Sequence, residues 1–146
     1  DDAVAATKAA LSEGIVAGGG VTLVNLSSDI KADGADSVSA GRQILKNALK
    51  QPFLQITKNA GLNSEALLAQ VEASKPGFGV NVMKPEQGVV DVRKDGVIDP
   101  VKVTKEAVQN AVSIASTAAT MGALVVDIPE AEAPMGGGMP GGMGMM

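Results

Sequence analysis

The chain has 146 residues, 45% of them apolar but only 1% aromatic, and it contains neither cysteine nor histidine. Disulfides, thiolate or imidazole metal sites and histidine acid-base catalysis are thereby excluded, which leaves carboxylates for any proton chemistry. A net charge of −4 argues against general affinity for nucleic acid or anionic lipid, and no apolar run approaches the ~20 residues that span a bilayer, so a soluble protein with a core of Ala, Val, Leu and Ile is expected.

The chain opens on Asp1, with no basic and apolar leader ahead of the first helical pattern, so it is expected to begin in mid-sequence. Val4, Ala6, Ala10 and Leu11 recur at helical spacing and predict a first helix from Asp2 to Glu13, with Asp1 and Asp2 at the end the macrodipole favours and Gly14 as its stop. Three consecutive glycines, Gly18 to Gly20, must end any helix they enter, because each costs about 1 kcal/mol relative to alanine. A tight turn explains them, and so does a loop whose backbone a ligand approaches closely.

Val21, Leu23, Val24, Leu26 and Ile30 predict a second helix, although Val21 to Leu26 alone also fits a strand. After the polar loop "KADGADS", Ser37 is expected to cap a third helix carrying Val38, Gly41, Leu45, Ala48 and Leu49. Pro52 interrupts it and opens a segment through Phe53, Leu54 and Ile56 that Gly61 ends; Asn63 or Ser64 then caps a short helix with Leu67, Leu68 and Val71.

From Ser74 to Pro100 the character changes. Val80 and Val82, then Val89, Val90 and Val92, form two β-prone runs around the turn-rich Lys84 to Gly88, which predicts a small hairpin. Asp99 and Pro100 read as the N-cap and N1 residues of the longest helix, with Val101, Val108, Val112, Ala115 and Ala119 on one apolar face and Gly122 at its end. "ALVVDIP" reads as a short buried strand. The fold expected is thus mainly α, a helical bundle with a small β-hairpin and a short C-terminal strand, over residues 1–129. Residues 130–146, rich in Gly and Met, cannot bury a core and are expected to form a flexible tail whose methionines offer an adaptable apolar surface.

Two phosphate-binding patterns fail. Gly14 and Gly19 have the first spacing of a P-loop, but Gly20 and Val21 stand where Lys and Ser or Thr are needed; the dinucleotide fingerprint would require glycine at Leu23.

The order "DDAVAATKAALSEGIVAGGGVTLV", "GFGVN", "DGVIDPVKVTKEAVQNAVSIASTAAT" and a Gly-Gly-Met tail resembles the carboxy-terminal part of the equatorial domain of group I chaperonins, the bacterial Hsp60 type, over essentially the whole chain. The resemblance implies a subunit of an ATP-driven, ring-forming folding machine of the bacterial cytoplasm. It implies ATP and Mg2+ as cofactors, with K+ as a candidate further ion. Its implied partners are other copies in a double ring, an Hsp10-type co-chaperonin and unfolded polypeptides, with no nucleic acid and no membrane. The "DGTTT" phosphate loop of that family does not occur in these 146 residues, so this stretch would form the other wall of the pocket and by itself have no ATPase activity.

Carried over by resemblance, Asp2 is the catalytic carboxylate that orients the water attacking the terminal phosphate. Gly19 is the glycine whose backbone lies against the nucleotide, Asn81 contacts the base with Val82 and Met83 continuing the strand beside it, Val97 packs near the base, and Asp99 accepts from the ribose hydroxyls. Structural roles compete at each position: the helix dipole for Asp2, a turn for Asn81, an N-cap for Asp99. The segment from Asn81 to Asp99 is longer than in the best-known members and carries Pro85 and "QGVVDVRKDG" in place of the usual pattern, a departure that bears most on Val82 and Met83. The alternative is a stand-alone helical interaction module that binds no nucleotide; ATP titration separates the two.

Overall fold

A computed structural model describes residues 2–126. Six α-helices and four short strands follow in the order α1 (Asp2–Glu13), β1 (Ile15–Ala17), α2 (Val21–Asp29), α3 (Ser37–Ala48), α4 (Gln51–Asn59), α5 (Ser64–Glu72), β2 (Phe78–Val80), β3 (Val89–Asp91), β4 (Ile98–Pro100) and α6 (Val101–Thr120), with a 3-10 turn at Pro85–Gln87. The mainly helical class read from the sequence is the class observed, and the stretch after the glycines is a helix rather than a strand.

The helix ends follow side-chain and backbone chemistry. Gly14 at φ +86° ends α1, its amide donating to the Ala10 carbonyl at 2.9 Å. Asp36, not Ser37, caps α3, its carboxylate accepting from the Ser39 amide at 2.7 Å. Asn63 caps α5 by accepting from the Ala66 amide at 3.2 Å, and Pro52 sits in the first turn of α4, where its missing N–H costs nothing.

The hairpin forms with β2 and β3 antiparallel, Gly79 opposite Val90. Its first strand ends at Val80, short of the expected Val82: Val82 and Met83 lie in the turn after Asn81, where the Asn81 side chain accepts from the Met83 amide. The second sheet is one that short-range patterns do not announce. β1 pairs antiparallel with β4, Val16 opposite Asp99, joining segments about 80 residues apart. Asp99 is therefore a strand residue and not the N-cap of α6; Pro100 holds the cap position, and the Gly14 carbonyl accepts from the Val101 amide at 3.1 Å, which satisfies the first amide of the helix.

The core gathers Val21 and Val24 of α2, Phe53 of α4, Leu68 and Val71 of α5, Ala17, Val80 and Val92. Phe53 is its largest wholly buried side chain, and burial of such a group is worth about 1.5–3 kcal/mol. Gly79 brings β2 against Val21, since a Cβ there would overlap the valine side chain. Helices α1 and α6 stand apart from this core. They lie against one another, tied at one end by Lys105 Nζ to Glu13 Oε2 at 2.6 Å, and neither buries a residue fully.

The apolar face read along α6 is only half used. Val101 and Val108 are part-buried, whereas Val112, Ala115 and Ala119 are exposed. At 1.5 Å per residue α1 spans ~18 Å and cannot cover the ~30 Å of α6. The expected C-terminal strand is likewise not formed over residues 123–126: Leu124, Val125 and Val126 are exposed, and neither sheet among the described residues includes them. The rest of that stretch and the Gly/Met tail fall outside the described residues. No helix among the described residues is long and apolar enough to cross a membrane.

Candidate functional site

The glycine triplet is the hinge between β1 and α2, and each glycine is required for a different reason. A Cβ on Gly18 would stand 2.9 Å from the backbone nitrogen of Ile98, and one on Gly20 would stand 2.7 Å from that of Phe53. These two residues let the turn press onto β4 and onto α4. Gly19 is different: it takes φ +65°, in the left-handed region, and a Cβ there would meet only the Val97 Cγ1, at an ordinary 3.5 Å. The face of Gly19 is thus open, with the Val97 side chain beside it.

Asp99 closes one side of this opening. The Gly18 amide donates to the Val97 carbonyl at 3.0 Å, which holds the turn alongside β4, and the Gly19 amide lies beside the Asp99 carboxyl. Partial burial raises the Asp99 pKa above its ordinary value of 3.8, and the nearby Gly19 amide only partly opposes that rise. One backbone donor leaves most of the acceptor capacity of the carboxylate unused. Gly19, Val97 and Asp99 are neighbours here.

Asn81 is 7% exposed and sits on the other arm, immediately after β2. Its Nδ2 donates to the Asp95 carboxylate, and its Oδ1 accepts from the Met83 amide at 3.0 Å. Val82 is half-buried, whereas Met83 is 84% exposed. The turn carrying Asp95 ends on Val97, whose amide donates to the Val92 carbonyl at 2.8 Å. Asn81 is therefore linked to the Gly19 opening through the 92–97 segment.

Asp2 stands on a different element. It lies in the exposed first turn of α1, and Gly14 is ~18 Å further along the helix. Asp99, paired with Val16, lies within about 12 Å of Gly14 on strand spacings, so the Asp2 and Asp99 Cα atoms are separated by at least about 6 Å.

A cavity of about 650 Å³ lies elsewhere, between α2, α3, α6 and β1, with Val16, Leu23, Leu26, Leu45, Leu49 and Val108 in its walls. It contains none of the expected site residues, and its lining is almost wholly apolar. Its apolar walls contrast with the Gly19 opening, where bare backbone and a carboxylate stand together. Among the described residues no three carboxylates converge as metal ligands. The sequence reading missed Asp95; "RKDG" signals only a turn, and its bond to Asn81 depends on the hairpin being folded.

A sequence model of the TCP-1/cpn60 chaperonin family matches residues 1–129. Among solved structures, the chain is similar to a group III chaperonin in the open state, with a TM-score of 0.70 and 27% identity over 80% of this chain. The match covers 25% of that protein, so this chain spans about a quarter of its length.

Proposed function

The chain belongs to the TCP-1/cpn60 chaperonin family, and on that premise we propose that it supplies one wall of the ATP site in a ring-forming, ATP-driven folding machine. The observation that carries this reading is the Gly19 opening. Its bare backbone lets a flat group approach, Val97 offers an apolar wall, and the Asp99 carboxylate keeps lone pairs for a vicinal diol. A partly desolvated carboxylate gains more from accepting hydroxyl protons than a hydrated one. The ribose and base of ATP match this set of groups.

Asn81, Val82 and Met83 are assigned to the edge of the base. Asp2 is assigned to the water that attacks the terminal phosphate, where a carboxylate orients the nucleophile or accepts its proton. Bound Mg2+ would neutralise phosphate charge; its ligands, and those of a K+ ion, are assigned to no residue described here. Group I membership, the double ring, an Hsp10-type co-chaperonin, unfolded polypeptide clients and a bacterial cytoplasmic setting are part of the same proposal and rest on the sequence signatures, the glycine triplet and Gly-Gly-Met tail among them.

The decisive experiment titrates the assembled subunit and its Asp99→Ala variant with ATP and with 2′,3′-dideoxy-ATP. A hydrogen bond to a charged acceptor is worth about 1.5–3 kcal/mol, so Asp99→Ala should weaken ATP about 10- to 100-fold and leave dideoxy-ATP nearly unaffected. Equal losses for both ligands would remove the ribose assignment. Unchanged ATP affinity would remove Asp99, and with it the Gly19 opening, from the nucleotide site.

A further inference from the structure

Asn81 is nearly buried, and a buried primary amide is costly unless both of its ends are matched. Its two ends differ chemically: Nδ2 donates and Oδ1 accepts. An ionised carboxylate can only accept, so Asp95 forces the NH2 end of the amide towards itself and leaves Oδ1 to receive the Met83 amide at 3.0 Å. Lys84 Nζ stands 3.3 Å from the same carboxylate, and its backbone amide donates to the Asn81 carbonyl at 2.9 Å. The hydrogen bond from Asn81, with the Lys84 charge adding to it, holds the Asp95 carboxyl below the usual carboxylate range.

The far side of Asp95 leads to the Gly19 opening. Its amide donates to the Asp91 carbonyl at 3.1 Å, which closes the turn after β3, and that turn delivers Val97 to its place beside Gly19. One carboxylate thus ties the loop after β2 to the turn before β4, and these two segments share no backbone ladder.

We propose that Asp95 is a positioning residue for adenine recognition: it fixes the Asn81 amide in one orientation and anchors the 82–88 loop to the turn that places Val97. The inference rests on the nucleotide reading of Asn81 given above. Asp95 itself touches no nucleotide; it selects which end of Asn81 faces its neighbours and leaves one N–H of Nδ2 for a ligand.

The test uses the assembled subunit with Asp95→Ala, Asp95→Asn, Asn81→Ala and the Asp95→Ala/Asn81→Ala pair. Two quantities are measured: the Kd for ATP, and amide hydrogen exchange over residues 82–88 without nucleotide. Asp95→Ala should raise Kd about 3- to 10-fold with kcat at saturating ATP unchanged, and should remove protection from the Met83 amide. Asp95→Asn, which keeps an acceptor oxygen, should restore much of both. The double variant should bind no worse than Asn81→Ala alone, since Asp95 acts through that residue. Additive losses in the double variant, or parental Kd in Asp95→Ala with Asn81→Ala impaired, would overturn the positioning role alone. Parental ATP affinity in Asn81→Ala would overturn the base assignment and the inference together.

Discussion

The glycine triplet offers a graded perturbation, because the same added methyl group meets three different surroundings. At Gly19 the Cβ of alanine reaches only the Val97 Cγ1, at 3.5 Å, so its cost is confined to the left-handed backbone, about 1–2 kcal/mol. At Gly18 the methyl carbon would stand 2.9–3.1 Å from three backbone atoms of Ile98, and a strand fixed by its ladder cannot yield cheaply; overpacking of this kind costs about 1–3 kcal/mol. Gly20 carries both penalties, at φ +80° and 2.7 Å from the Phe53 nitrogen, so about 2–5 kcal/mol is expected. Denaturant unfolding of the subunit carrying each Gly→Ala substitution should therefore rank Gly20 as the most damaging, with Gly18 at or above Gly19. ATP binding should rank differently, with folded Gly19→Ala, and more so Gly19→Val, losing affinity out of proportion to stability. A Gly19 variant that unfolds more readily than its Gly20 counterpart would refute the packing argument, and parental ATP affinity in folded Gly19→Val would reduce the triplet to a turn.

Asp2→Asn keeps the side-chain shape but not the anion, so ATP should still bind while single-turnover hydrolysis slows by about 10²- to 10⁴-fold; a near-parental rate would take Asp2 out of catalysis. Phe53→Ala, which empties the largest buried side chain of the core, should cost about 3–5 kcal/mol in denaturant unfolding, and a loss below about 1 kcal/mol would show that α4 does not anchor the core. In carboxyl NMR titrations Asp99 should protonate first as the pH falls, and Asp36 and Asp95 after it, because burial raises the first while hydrogen bonds from Ser39 and Asn81 lower the others. The signs for stability follow. Asp36 and Asp95 contribute stability above the ordinary value of 3.8 that is lost as pH falls through their lowered values, whereas the parent should gain on Asp99→Asn as pH falls from the raised Asp99 value towards 3.8. A stability difference between parent and Asp99→Asn that stays flat across that window would contradict the burial of Asp99.

Wherever neighbours in sequence are neighbours in space, the sequence alone determined the outcome. Helical periodicity with Gly14, Pro52, Asn63 and Gly61 located α1, α4 and α5, because capping and φ preference act within a few residues. Valine alternation located the hairpin for the same reason. The tertiary structure decided whatever depends on a distant partner. Three residues as short as Ile15–Ala17 have no strand character of their own and become one only because Ile98–Pro100 lies alongside; that pairing turns Asp99 from an expected helix cap into a strand residue facing the Gly19 amide. In reverse, the apolar run at residues 123–126 has strand propensity and no strand: among the described residues neither sheet includes it. The glycine triplet shows both limits at once: its composition announced a constraint on the backbone, but only the approach of Ile98 to Gly18 and of Phe53 to Gly20 reveals that the protein itself occupies two of the three faces and leaves the third, at Gly19, open.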